Sequence, residues 1–122
     1  MEKMTDMERS EGKKNSNILW VKADPPNATP DERRKALRAL SGAITHTLRN
    51  FGDVKLRCFG NACIGKAAKA LARARGMIGV EGFDLYFTIG YIEAEMGGET
   101  KKGLCFFGFT SETDPKQLLD TK

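Results

Sequence analysis

The sequence predicts an α+β fold of order β-α-β-α-β-β, with two helices packed on one face of a small mixed four-stranded sheet. Three observations predict it. Residues 30–50 and the segment after Gly60 each space their apolar residues by three and four. A short apolar run precedes each of those stretches. Two longer apolar, aromatic-rich runs then flank Gly97-Gly98, a two-residue hairpin signal.

In chain order, residues 1–16 are polar and aperiodic and read as a disordered charged tail ahead of the domain at 17–110. "NILWVKA" (17–23) is a short strand, stopped by Pro25 and Pro26. Thr29-Pro30 supplies an N-cap and a first helical residue, and Asp31 and Glu32 then suit the positive end of the helix dipole. Leu37, Leu40, Ile44, Leu48 and Phe51 form one apolar stripe, while Arg38, Thr45, His46 and Arg49 point elsewhere. Gly52 is the expected left-handed terminator. In "VKLRCF" (54–59), Val54, Leu56 and Cys58 alternate with Lys55 and Arg57, a strand with one wet face near its start.

The second helix follows a glycine turn and is expected to run to Arg75, stopped by Gly76. Ile64, Ala68, Leu71, Ala74 and Ile78 line one side of it, with Lys66, Lys69 and Arg73 opposite. Arg75 falls on the apolar side, as a snorkelling or ion-paired residue. Pairing across Gly97-Gly98 sets Met96 opposite Glu99, Ala94 opposite Lys101 and Glu93 opposite Lys102. Residues 111–122 read as a polar C-terminal tail.

A chain of 122 residues is long enough for one domain with a real core. Cys58, Cys63 and Cys105 sit among apolar neighbours without C-x-x-C spacing, so they are expected to be reduced and buried, with no metal site. The longest apolar runs are too short to span a bilayer, and the charged N-terminal segment lacks the apolar stretch of a signal peptide. Both points predict a cytoplasmic protein away from membranes. The two tails carry almost no net charge, whereas residues 17–110 hold 14 basic against 9 acidic side chains. The basicity belongs to the folded part and favours polyanionic partners.

"FGNACIGKAA" (59–68) matches the first seven positions of the phosphate-loop pattern G-x-x-x-x-G-K-[ST]. The eighth is Ala67, which removes the Mg²⁺-holding hydroxyl, and no neighbouring strand ends in the acid that chemistry also needs. ATP hydrolysis is therefore set aside. The strand–glycine–helix junction still leaves free amides near residues 61–64 that suit a phosphate; from the pattern alone, a plain turn at Gly60 with close helix packing at Gly65 is the favoured reading. The Lys66, Lys69 and Arg73 stripe is compatible with an ordinary solvated face, although no Asp or Glu lies between Gly60 and Gly79.

No catalytic residue or cofactor is expected. His46 has no nucleophile placed beside it, Cys63 has no histidine, and Asp53, Glu81 and Asp84 read as caps or ion pairs. Trp20 reads as core or interface packing, and the strand aromatics Tyr86, Phe87, Tyr91, Phe106, Phe107 and Phe109 as mostly core.

The stretch "GAITHTLRNFGDVKLRCFGNACIGKAAKALARARGMIGVEGFDL" resembles the bacterial stage V sporulation protein S family. The resemblance runs without gaps from about Leu40 to Leu85. It rests on the helix ending in "LR", the strand closing in Gly60, the "KAAKALARARG" helix and "GFDL". It implies membership of the Alba superfamily, whose β-α-β-α-β-β two-layer sandwiches bind nucleic acid and commonly form homodimers or higher homo-oligomers. The implied function is DNA or RNA binding, mainly through the backbone, with a regulatory role in sporulation or development and a place in the cytoplasm or at the nucleoid.

Carried over residue by residue, the implied contacts are Lys22, the Gly60–Asn61 turn with Lys66, and Lys101 and Lys102 of the hairpin. Lys69 and Arg73 join them from the basic stripe. The chain departs from the superfamily pattern in three places: acids in "KADPPNATPDERR", Asn61 after the glycine turn, and Glu93, Glu95 and Glu99 in the hairpin. The hairpin lysines are thus expected to pair within the hairpin. The alternative function is a protein-interaction regulator on the same fold.

Overall fold

The computed structural model describes residues 2–4 and 16–112. Strand β1 is Glu2–Met4, β2 Ile18–Trp20, helix α1 Pro30–Phe51, β3 Asp53–Cys58, α2 Asn61–Gly79, β4 Phe83–Met96 and β5 Glu99–Glu112. From β2 onward this is the expected β-α-β-α-β-β order and α+β sandwich. To the four expected strands the short β1 adds an edge, giving the sheet order β1-β4-β5-β3-β2. β1 pairs in parallel with Ile92–Ala94, inside the segment expected to be a disordered tail. β5 likewise runs to Glu112, past the expected boundary at 110. The expectations for 5–15 and 113–122 lie outside the described residues.

β2 and β3 run parallel around α1. β5 is antiparallel to both β3 and β4, so β3 and β4 also run in one direction around α2. Both helices therefore connect parallel strands and enter the helical layer from the same end of the sheet.

Both boundaries of α1 have a local cause. The Thr29 side chain accepts from the Glu32 amide (3.1 Å) and the Glu32 carboxylate accepts from the Thr29 amide (2.9 Å), a reciprocal capping box. That second bond holds the Glu32 carboxyl below the usual carboxylate range. Gly52 ends α1 at φ 79°, as expected. The end of α2 differs: the helix passes through Gly76 to Gly79. Ile78 is buried one turn beyond Ala74, and packing of that turn outweighs the roughly 1 kcal/mol that a helical glycine costs. Gly97 and Gly98 both have positive φ, and the hairpin register is the one expected, Glu93 opposite Lys102 and Met96 opposite Glu99.

The core lies between helices and sheet. Ile44 and Leu48 of α1 and Ala67, Leu71, Ala74 and Ile78 of α2 meet Val54, Leu56, Cys58, Leu85 and Phe106. The buried face of α2 is turned slightly from the expected one: Cys63, Ala67 and Ala70 are inside and Ala68 is exposed. On α1, Thr45 is buried, its hydroxyl donating back to the Ser41 carbonyl (2.9 Å), while Phe51 at the stripe's end is exposed. All three cysteines are buried and outside any disulfide, and burial pushes the Cys58 thiol up to about 12, so it stays protonated. Arg57, expected on a wet face, is fully buried. β3 is an interior strand, and Arg57 stands between Trp20 of β2 and Cys105 of β5 in the register.

Arg75 resolves as ion-paired. Its Nε donates to Asp84 Oδ1 at 2.7 Å, and the same carboxylate accepts from the Leu85 amide at 2.8 Å. The guanidinium first, then the amide, holds the Asp84 carboxyl below its ordinary value of 3.8. Its contribution to stability is therefore complete above pH 3.8 and is lost as the pH falls through the lower folded value. Asp84→Asn is expected to cost about 1–2 kcal/mol at neutral pH. It should also flatten the acid limb of a stability–pH curve measured by urea denaturation.

Gly103 marks the closest approach in the sheet. A Cβ there would lie 2.3 Å from the Cys58 carbonyl oxygen and 2.6 Å from the Phe59 ring. The first obstacle is backbone and cannot swing aside. Gly103→Ala is expected to destabilise by about 1–3 kcal/mol, read as a lowered denaturation midpoint with far-UV circular dichroism retained.

Candidate functional site

Because both helices enter from one end, their positive dipole ends lie together there. At α1 that end is occupied by its own acids, Asp31 and Glu32. At α2 the first turn holds no acid, and Gly60, with φ 102° and ψ 152°, caps it without a side-chain hydrogen bond. The unusual φ is what lets β3 turn directly into α2.

Between the two helix starts lies a groove of about 470 Å³. α1 contributes Arg33, Arg34 and Leu37 to its lining; α2 contributes Asn61, Ala62, Gly65, Lys66 and Lys69; the β2–α1 loop contributes Asp24. Four cationic side chains thus face one acid. Arg34 also pairs with Asp31 across one turn of α1.

The sequence-predicted residues fall in four places. Asn61, Lys66 and Lys69 come together in the groove, with Gly60 forming its turn. Lys22 lies in the adjoining loop with an exposed side chain, while its carbonyl accepts from the Lys66 ammonium at 2.8 Å. Arg73 is exposed on α2, one turn beyond Lys69.

Lys101 and Lys102 stand on the hairpin instead. β3 ends at Cys58 opposite Leu104, so the β4–β5 pair continues past it as an arm whose base adjoins Phe59 and the glycine turn. Lys101 pairs with Glu99 at 3.0 Å, and Lys102 stands opposite Glu93. Of the two lysines expected to pair within the hairpin, Lys101 does so, and Lys102 has an acid facing it in the register.

Lys66 is not the free cation that its place in the motif suggests. It donates to Asp24 Oδ1 at 2.9 Å as well as to the Lys22 carbonyl, and its side chain is 15% exposed. Asp24 Oδ2 also lies 3.7 Å from an Arg33 nitrogen, while Arg33 donates to the carbonyls of Pro25 and Pro26. Arg33, Arg34 and Asp24 were not singled out by the sequence reading. Their signal in the sequence is the charged loop "KADPPNATPDERR", in which acids stand close enough to the arginines to offset them.

Ala67 is fully buried against the sheet, so the position that a nucleotide-hydrolysing loop needs for its hydroxyl faces the core. Among the described residues no three His, Cys, Asp or Glu side chains cluster as metal ligands, and no helix is long and apolar enough to cross a membrane. At the opposite end of the helix layer a cavity of about 390 Å³ is lined by Leu48, Ile78 and Phe83, beside the Arg49–Glu81 ion pair.

Against models of known families, residues 34–108 match stage V sporulation protein S. The match spans most of α1, all of β3, α2 and β4, and most of β5, more than half of the chain. The chain belongs to the stage V sporulation protein S family, and a sporulation-related role follows from that membership.

Proposed function

We propose that this protein binds nucleic acid, DNA or RNA, mainly through backbone phosphates, and acts in the cytoplasm or at the nucleoid as a regulator in sporulation or development. The observation that carries the reading is the groove, where Arg33, Arg34, Lys66 and Lys69 converge on the acid-free start of α2. Amides and basic side chains together suit the oxygens of a phosphodiester. Among the described residues no element presents an array of Arg, Asn and Gln to base edges, so these contacts position the polymer without reading its sequence. The β4–β5 arm supplies a lesser surface, its lysines being largely offset by Glu93 and Glu99.

Binding of this kind releases counterions, so affinity falls steeply with salt. The paired substitution Arg33→Gln with Lys69→Gln is expected to reduce the slope of log K against log[salt] by about 1–2 and to weaken low-salt binding at least tenfold. Arg49→Gln with Lys55→Gln removes equal charge outside the groove and should change little. Fluorescence anisotropy with duplex DNA, single-stranded DNA and RNA measures both effects. Equal losses from the two pairs would reject the groove.

A second observation favours a protein partner for another face. Phe87, Ile89 and Tyr91 are alternate residues of β4 on one face of the strand, 46%, 55% and 70% exposed. Their outer edge, Phe83–Tyr91, has no strand partner among the described residues. We place the subunit contact of a homodimer or higher homo-oligomer there, where edge pairing and apolar burial would coincide. Ile89→Lys is expected to shift the protein to monomer in analytical ultracentrifugation. If the unsubstituted protein is already monomeric, the stripe is left to a different protein, as the interaction-regulator reading holds.

A further inference from the structure

We propose that Asp24 sets the affinity of the groove by acting as an internal anion: its carboxylate occupies, between Lys66 and Arg33, the place that a backbone phosphate takes when the polymer binds. The inference rests on the nucleic-acid reading above and adds to it how that site is regulated.

Three features support it. Asp24 is the one acid among the described residues lining the groove. Its carboxylate reaches two of the groove's four cations, Lys66 at 2.9 Å and Arg33 at 3.7 Å. The contact is also shielded, with side-chain exposures of 17% for Asp24 and 15% for Lys66, so it is screened less than an ordinary surface pair.

A carboxylate and a phosphodiester offer the same thing to an ammonium or guanidinium, an anionic oxygen acceptor. Two such anions cannot sit within contact of Lys66 without strong mutual repulsion. The phosphate must therefore displace Asp24, and the exchange swaps one ion pair for another. Lys66 then contributes little to affinity and little to counterion release, whereas Lys69, which has no acid partner among the described residues, contributes its full share. The loop itself does not depend on the carboxylate. Arg33 holds it through the Pro25 and Pro26 carbonyls at 3.2 and 3.4 Å, and Lys66 also holds the Lys22 carbonyl.

Asp24→Asn keeps the size of the side chain and removes the competing charge. In anisotropy titrations with a short duplex DNA and a short single-stranded RNA, it is expected to tighten low-salt binding about five- to tenfold. It should also steepen the salt slope by about 1, one more phosphate neutralised without exchange. Glu81→Gln, which removes an equal charge at the far end of the helices, serves as the control for net charge. Thermal melting establishes that both variants are folded. Should Asp24→Asn itself melt early, Asp24→Ser supplies the second uncharged variant.

Tightening by both Asp24→Asn and Glu81→Gln alike, or by neither while the parent protein binds, overturns the role of Asp24 and leaves the nucleic-acid reading standing. Binding by Asp24→Asn where the parent binds neither polymer supports the inference in its strongest form. Binding by none of the folded proteins at low salt overturns both.

Discussion

The parallel sense of β2, β3 and β4 is the constraint on which the rest of the molecule depends. Parallel neighbours need a crossover, and each crossover here is a helix returning over the same face of the sheet. Both helices must then start at the carboxyl ends of β2 and β3, so their dipoles point the same way. Inserting β5 between β3 and β4 completes the sheet without altering that sense. The groove is thus a consequence of topology before any side chain is considered. What the sequence adds is the contrast between its two walls, acids at the start of α1 and none at the start of α2.

Net charge and available charge differ in this protein. The folded segment has a clear excess of basic residues, yet many of its cations have partners within the chain. Arg75 is tied to Asp84, Arg49 to Glu81, Arg34 to Asp31, Lys101 to Glu99 and Lys66 to Asp24. These pairs serve different ends. The Arg75–Asp84 pair fastens the last turns of α2 to the first residues of β4, with a buried carboxylate that also caps a backbone amide. The Lys66–Asp24 pair instead closes a loop over a groove, where it can be exchanged for another anion. The surroundings of the carboxylates separate the two cases, since Asp84 also accepts from the Leu85 amide, while Asp24 lines a groove that holds further cations.

Much of the fold was legible in the sequence because the signals were local. Thr29-Pro30 with Asp31 and Glu32, the Gly52 terminator and Gly97-Gly98 each act within a few residues, and each formed as its chemistry dictates. The misreadings come from tertiary packing. Gly76 reads as a helix stop until Ile78 is seen buried beyond it, and Arg57 reads as solvated until β2 and β5 flank β3. The site follows the same division. Asn61, Lys66 and Lys69 were visible because they share one short helix start. Arg33 and Asp24 belong to other segments and meet Lys66 only through the crossover, a relation with no sequence period.

The phosphate-loop likeness of "FGNACIGKAA" finds its physical meaning in that geometry. The glycine at position 60 and the helix that follows form a strand–glycine–helix junction with no acid in its first turn, but the two residues after Gly65 have other roles than in a nucleotide site. Ala67 is committed to the core, where its methyl packs and a hydroxyl would have no metal to hold. Lys66 is committed to the neighbouring loop, where it holds a carbonyl and a carboxylate. A compact triphosphate needs several positive groups focused on one spot, and Asp24 stands in that spot. A polymer spreads its charge instead, and can meet Lys69 and the arginines of α1 at successive phosphates while the Lys66 position exchanges. An arrangement with an acid among its cations is a poor fit for a compact triphosphate and, on the proposed reading, still suits a chain of nucleotides, and the difference between them is the spacing of negative charge.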